Sequence, residues 1–402
     1  MTVKIKPSLL KGAIKAPPSK SMAHRYLICA GLARGESVIK NVAFSQDVLA
    51  TLDCLETLGA DIKKEGDTVY IKGADISEFN GGVFPCRESG STLRFFIPLA
   101  LLSKGRSLFT GYGRLMERPM EIYERLCADC GLFYEKGADG ISLSGVLKGG
   151  NIEIPGDISS QFITGLLFAL PFAEGDSRIL LTGKTESLGY IDMTVDALKK
   201  FDIEIKKEKE NILYVKGLQK YKARQLTVEG DYSNAAFLDA FNYIGGAAEV
   251  QGLDENSLQG DRVYKKYFEL LKQGTPTLDV SHCPDLAPVL MTLASALNGA
   301  VLVGTRRLKI KESDRGEVMK RELSKFGAKI ETEENRITVF KSGLYKPSEI
   351  LCGHNDHRVV MSLAVLASVY GGVIEGAESV RKSYPDFFEA VGKLGLEVTE
   401  EW

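Results

Sequence analysis

The sequence predicts an α/β protein of two domains, each with apolar helices inside and sheets outside. Three observations lead there. With 402 residues the chain is too long for one ordinary core, so two domains are expected. Six segments each set a polar mouth before a helix-like run that is apolar nearly all round, the pattern of a helix buried on every side. Between them recurs an amphipathic helix followed by a glycine-like turn and two alternating strands, the pattern of a helix lying on a sheet.

The six mouths are "SKSMAHRYLICAGLA" from Ser19, "ESGSTLRFFIPLALL" from Glu88, "ISSQFITGLLFALPF" from Ile158, "DYSNAAFLDAFNYIG" from Asp231, "CPDLAPVLMTLASAL" from Cys283 and "NDHRVVMSLAVLAS" from Asn355. Their polar marks Ser21, Ser91, Gln161, Ser233, Asp285 and Asp356 fall about seventy residues apart, with one shorter gap before Asp285. The second pattern is clearest in "LDCLETLGADIKKEGDTVYIKG" (52–73). It returns closely at 195–217 and 319–343, loosely at 124–145, and weakest at 265–281. The six buried helices make two groups of three. Repeat bookkeeping places the first domain at 14–226. The second takes 227–402 together with 1–13, because "TVKIKP" reads as a strand that completes it.

Composition narrows the function. The chain is 44% hydrophobic and 26% charged with a net charge of −2, so no broad nucleic-acid or membrane footprint is expected. No apolar stretch reaches the ~18 residues of a membrane-spanning helix, and the start lacks a signal-peptide core. Seven cysteines form an odd, scattered set that suits a reduced, cytoplasmic compartment. The CxxC of Cys127 and Cys130 has no second pair and reads as packing. No P-loop, GxGxxG after a strand, HExxH or Cys/His cluster with metal-ligand spacing is present.

The chemistry sits at the mouths. A helix N-terminus offers unpaired N–H groups and partial positive charge, which favour phosphate and carboxylate. Capping alone explains the Ser, Asp and Asn residues there, but it does not call for cations. Lys20 and Arg25 flank the first mouth, Arg94 follows the second and Arg358 the sixth. Arg118 in "MERPM", Lys382 in "RKSYPDFF" and the set Lys309, Lys311, Glu312, Asp314 and Arg315 in "RRLKIKESDRGEV" add to them. So many Arg and Lys side chains imply a ligand with several negative charges. The four histidines are dispersed; His357, between Asp356 and Arg358, is the one placed near a site.

Taken in order, "PPSKSMAHR", "SGSTLRFF", "ERP", "DISSQFITGLL", "SLGYIDMT", "CPDLAP", "KIKESDR", "NDHR" and "KSYPDFFEAV" resemble the EPSP synthase family of enolpyruvyl transferases across essentially the whole chain. The resemblance implies two inverse α/β-barrel-like domains, each of three βαβαββ repeats, with the ligand cleft between them and closure on ligand. It implies transfer of the enolpyruvyl group of phosphoenolpyruvate to the 5-hydroxyl of shikimate 3-phosphate with release of phosphate, a step of aromatic amino acid biosynthesis. No metal or organic cofactor is implied. The partners are the two small-molecule substrates, with no nucleic acid and no membrane, and the chain is expected to act as a monomer.

By the same resemblance, Lys20, Ser21, Arg25, Ser159, Ser160, Gln161, Ser187, Tyr190, Asp285, Arg307 and Lys311 meet shikimate 3-phosphate. Lys20, Gly90, Arg118, Gln161, Arg315, Arg358 and Lys382 meet phosphoenolpyruvate. Asp285 is the base on the hydroxyl, Glu312 the proton donor to carbon, Lys311 and Lys20 assist, and His357 supports elimination. Two positions depart from the family pattern. Glu88 stands where Asn is usual, a carboxylate that calls for a cation such as Arg87 or Arg94. Arg307 stands where a polar or acidic residue is common. Both bear on affinity more than on reaction class.

Three rivals share features with this reading. A UDP-N-acetylglucosamine enolpyruvyl transferase usually carries Lys-Asn and a loop cysteine, whereas this chain has Lys20-Ser21 and no cysteine in "TGYGRLMERPM". A binding protein on the same scaffold has no need of Asp285, Lys311 and Glu312 together. An enzyme of nucleic-acid ends calls for a basic surface that the net charge does not provide.

Overall fold

Where the two kinds of helix lie follows from their patterning. In the computed structural model, which describes residues 1–401, the six apolar runs are helices Lys20–Gly31, Gly90–Ala100, Ser160–Ala169, Tyr232–Ala240, Ala287–Ala296 and His357–Tyr370. Every residue from Met22 to Gly31 is buried, and so is every residue from His357 to Ser368. The amphipathic helices, such as Gln46–Leu58 and Leu188–Lys200, bury one face only. Gly165 shows how close the buried helices come. A Cβ there would run into the Arg94 carbonyl and the Tyr123 hydroxyl, so only glycine lets helix Ser160–Ala169 approach Gly90–Ala100 this far.

The chain separates into two compact units, Lys20–Val228 and Met1–Ser19 with Glu229–Trp402, each with its own apolar core. It passes between them twice, after Ser19 and after Val228. Residues 14–19 lie with the second unit because strand Lys11–Lys15 pairs in parallel with Ala247–Gln251.

Within Lys20–Val228 three sheets repeat one plan. In the second, Val83–Pro85 pairs in parallel with Ser107–Thr110 across a buried helix, and the hairpin Phe133–Gly137 and Gly140–Ser144 then adds antiparallel strands. The third repeats it with Asn151–Pro155, Ser177–Thr182, Ile212–Val215 and Ile205–Lys209. The first borrows its parallel strand, Gln225–Thr227, from the far end of the unit.

The other unit departs from the expected plan in one repeat. The sheets around Thr277–Asp279 and around Leu351–Cys352 have four strands each, the latter completed by Thr2–Lys6. The repeat built on Tyr232–Ala240 has only Lys11–Lys15 and Ala247–Gln251, and its helix Tyr264–Gln273 leads directly into the next repeat without a hairpin. That missing hairpin is the shorter gap in the sequence spacing. Among the described residues every sheet has open edges, and none closes into a barrel.

Candidate active site

Each unit gathers cations at helix N-termini, and the two sets are built differently. In Lys20–Val228 the caps are local. Ser89 accepts from the Thr92 N–H and Ser159 from the Gln161 N–H, each through its hydroxyl. Lys20, the first residue of its helix, pairs with Asp47 at 2.8 Å. Arg25, one turn later, is buried and fully engaged. It donates to Thr194 Oγ1 at 3.0 Å, the Ser21 carbonyl at 2.7 Å and the Tyr190 carbonyl at 2.8 Å. Burial pushes its guanidinium down to about 10. Its neighbours Phe95 and Tyr190 lie under its plane at 5.8 and 5.9 Å.

Arg94 donates to Gln161 Oε1 at 2.8 Å and to the Pro119 carbonyl at 3.1 Å, above the Phe162 ring. Burial, and then the charge of Arg118, push it down to about 9. A guanidinium whose protonation is weakened by a neighbouring positive charge makes a place where an anion relieves repulsion. Gly90 makes room for them: a Cβ would strike the Arg118 guanidinium and come 3.1 Å from Arg94 Nη1. Ser187 is buried with φ 56°, at the entry to helix Leu188–Lys200, where Tyr190 also sits. His24 lies behind these mouths, its ring 2.7 Å from Thr51 Oγ1 and 3.4 Å from Ser91 Oγ.

The second set is a lattice of paired charges. Asp285 Oδ1 accepts from Arg315 Nη1 at 2.7 Å with Lys311 Nζ at 3.3 Å, and Oδ2 accepts from Arg358 Nη2 at 3.1 Å. Burial alone would raise the Asp285 carboxyl, but Arg358, Lys311 and Arg315 outweigh it and hold it well below the usual carboxylate range. Arg315, 1% exposed, also donates to Glu312 Oε2 at 3.0 Å and to Asp356 Oδ2 at 2.9 Å. Lys311 is pushed down to about 8, first by burial and then, against the pull of Asp285, by three surrounding arginines.

His357 Nδ1 stands 3.1 Å from Glu312 Oε2. Asp356 caps its own helix by accepting from the Arg358 N–H at 3.0 Å. Lys382 donates to the Asn355 carbonyl at 2.6 Å. Arg307 donates to the Ser281 carbonyl. Ligand atoms of Glu312, Asp356 and His357 fall within 4.8 Å of one another, a spacing a metal could use. The cation that Glu312 and Asp356 hold here is Arg315.

Comparison with known proteins agrees with this fold. The family described as EPSP synthase (3-phosphoshikimate 1-carboxyvinyltransferase) matches residues 5–391. A 3-phosphoshikimate 1-carboxyvinyltransferase of Clostridium kluyveri is 40% identical, covering 100% of this chain and 98% of the relative. That of Clostridium acetobutylicum is 40% identical with the same coverage. The chain belongs to the EPSP synthase family. Its fold is that of the EPSP synthase from Acinetobacter baumannii, with a TM-score of 0.79 over 99% of this chain and 100% of that one, at 24% identity.

Seen as a member of the EPSP synthase family, the chain assembles its expected site residues as two sets, one in each unit. Lys20, Ser21, Arg25, Gly90, Arg118, Ser159, Ser160, Gln161, Ser187 and Tyr190 belong to one unit, and Asp285, Arg307, Lys311, Glu312, Arg315, His357, Arg358 and Lys382 to the other. The two cations suggested for Glu88 each hold other groups. Arg87 binds Asp53 at 2.8 Å and Gln46 at 2.6 Å, and Arg94 is committed to Gln161. The Glu88 carboxylate lies over Gly113, where a Cβ would collide with it.

Sequence reasoning passed over three counter-charges: Asp47 for Lys20, Asp356 for Arg315 and, behind Arg358, Asp261. Asp47 follows a cap, Ser45, and Asp356 stands in a quoted mouth, so both carried a local signal. Asp261 carried none. Within the CxxC, burial pushes the Cys127 thiol up to about 12, while Cys130 is exposed with its thiol raised by partial desolvation.

Proposed function

We propose that this chain transfers the enolpyruvyl group of phosphoenolpyruvate to the 5-hydroxyl of shikimate 3-phosphate, in the pathway to aromatic amino acids. The observation that carries the reading is Asp285, a carboxylate kept ionised among Arg315, Lys311 and Arg358. An ionised carboxylate is able to accept the hydroxyl proton, while the cations beside it stabilise the charge of the donor's phosphate and carboxylate.

In this proposal Lys20, Ser21, Arg25, Ser159, Ser160, Gln161, Ser187 and Tyr190 hold shikimate 3-phosphate, with Arg307 and Lys311. Gly90, Arg118, Arg315, Arg358 and Lys382 hold phosphoenolpyruvate, with Lys20 and Gln161 shared. Asp285 takes the proton of the 5-hydroxyl as its oxygen bonds to the central carbon of the donor. Glu312 gives a proton to the methylene carbon, which becomes a methyl group. The tetrahedral adduct then returns a methyl proton to the protein as phosphate leaves, and His357 beside Glu312 supports that step. No metal or organic cofactor takes part. The chain acts as a cytoplasmic monomer, which light scattering tests directly.

The deciding experiment measures phosphate release from phosphoenolpyruvate, with shikimate 3-phosphate and UDP-N-acetylglucosamine supplied separately as acceptors. Release with shikimate 3-phosphate alone is expected. Release with the nucleotide sugar alone, or with neither, overturns the proposal.

A further inference from the structure

Behind Arg358 lies a carboxyl for which the reaction described above has no use. Asp261 stands in the short turn Gly260–Val263 and is only 3% exposed. Burying a carboxyl is costly, and an apolar side chain would fill the space at less cost. The charged groups that face it include Asp285 and Asp231, of its own sign, and Arg358, of the opposite one, with the neutral Cys283 thiol nearby.

What it touches explains why it is there. Arg358 Nη1 donates to Ser233 Oγ at 2.6 Å. A guanidinium has no acceptor, so this bond uses a lone pair of the serine and leaves its proton to be given elsewhere. Asp261 is hydrogen-bonded to that same side chain and is its acceptor. On its other side, Arg358 Nη2 donates to Asp285 Oδ2 at 3.1 Å. One chain of hydrogen bonds therefore joins Asp261, Ser233, Arg358 and Asp285, with Arg358 donating in both directions.

We propose that Asp261 is a positioning residue for the transfer reaction, acting through Ser233 to anchor the Arg358 guanidinium beside Asp285. The inference rests on the site reading given above. Its logic is competition. An arriving phosphate or carboxylate competes with Asp285 for the Arg358 donors, and an unanchored arginine follows the ligand. The Ser233 and Asp261 tether restrains the guanidinium from behind, so the base keeps its partner while the ligand binds. Loss of such orientation lowers turnover more than ground-state binding.

Burial, with the charge of Asp285 adding to it, pushes the Asp261 carboxyl up to about 7. Above that pH it is ionised and holds the Ser233 proton firmly; below it the protonated acid is a weaker acceptor. Turnover therefore falls on the acid side of about pH 7, and this limb belongs to Asp261.

The test is steady-state kinetics of the full chain with both substrates from pH 5.5 to 9, on Asp261→Asn, Ser233→Ala, the double variant and Arg358→Lys, with thermal melts alongside. Asp261→Asn is expected to lower kcat roughly tenfold, to leave both KM values within about threefold, and to flatten the acid limb. Ser233→Ala, which breaks the same chain at an uncharged link, flattens it too and replaces Asp261→Asn should that variant melt below the assay temperature. The double variant is no slower than the worse single one. A wild-type kcat and acid limb in Asp261→Asn and Ser233→Ala, or losses that multiply in the double variant, overturn the inference. Arg358→Lys separates the two levels. If it is impaired while Asp261→Asn is not, only the inference fails; if it runs at the wild-type rate, the site reading beneath it fails.

Discussion

Arg315 and Asp285 meet at 2.7 Å, and the guanidinium that makes this bond also binds Glu312 and Asp356. One cation at 1% exposure thus holds three carboxylates in fixed relation. The planar fork of arginine makes this possible, since its donors point in several directions at once.

A lysine keeps the charge and loses the fork. Arg315→Lys is expected to lower kcat/KM by at least about 100-fold, because it frees the carboxylates proposed as base and acid. It is expected to lower the melting temperature by roughly 5–10 °C, since breaking a buried ion pair costs about 3–5 kcal/mol and the ammonium recovers part of that. Steady-state kinetics and a thermal melt check both. A melting shift with unchanged kinetics would reduce Arg315 to a structural role.

Gly90→Ala tests the donor side alone. The added Cβ pushes on the Arg118 guanidinium, so the KM for phosphoenolpyruvate is expected to rise about tenfold, with kcat and the KM for shikimate 3-phosphate within about threefold. Stability is not expected to fall, because alanine suits a helix better than glycine. Equal rises in both KM values would mean that the site as a whole has shifted.

Lys311 sets the alkaline limit. At about 8 it loses its proton far below the usual lysine value of 10.5, and with it the charge beside Asp285. A basic limb with a midpoint near pH 8 is expected in kcat/KM, and Lys311→Arg, which stays charged, removes it. The same shift acts on stability. Between about pH 8 and 10.5 the unfolded lysine binds a proton that the folded one does not, so this group makes stability rise with pH across that window. Denaturant midpoints of wild type and Lys311→Arg at pH 7.5 and 10 measure the difference.

His24 sets the acid limit of the fold. Burial pushes its imidazole down to about 3, with Asp47 pulling the other way and Lys20 and Arg25 adding to the fall. Between about pH 6.5 and 3 the unfolded histidine takes up a proton that the folded one refuses, so stability is lost as pH falls through that window. His24→Asn is expected to lose less stability between pH 7 and pH 4 than the wild type, as read by urea unfolding. An unchanged difference would assign the acid sensitivity to other groups.

The helix mouths were legible because caps are local chemistry: Ser89, Ser159, Asp231 and Asp356 each accept from an N–H two or three residues ahead. The counter-charges were hidden by distance along the chain. Lys20 finds Asp47 27 residues away, and Arg315 finds Asp356 41 residues away, separations for which spacing gives no rule. Arg87 and Arg94, close to Glu88 in sequence, each bind a group that only the fold brings near. The missing hairpin after Tyr264–Gln273 was visible as a short gap, but a gap does not say which strands have gone.

The strand Thr2–Lys6 pairs on one side with Gly372–Glu375 and on the other with Glu397–Glu401, and Lys11–Lys15 pairs with Ala247–Gln251. As the ribosome extends the chain, the first strands therefore emerge long before any partner exists for them. The unit Lys20–Val228 has every strand it needs within its own span and is able to condense first. Lys11–Lys15 waits for Ala247–Gln251 and Thr2–Lys6 for Gly372–Glu375 and Glu397–Glu401, so the sheet holding Thr2–Lys6 forms well after the unit Lys20–Val228 is able to.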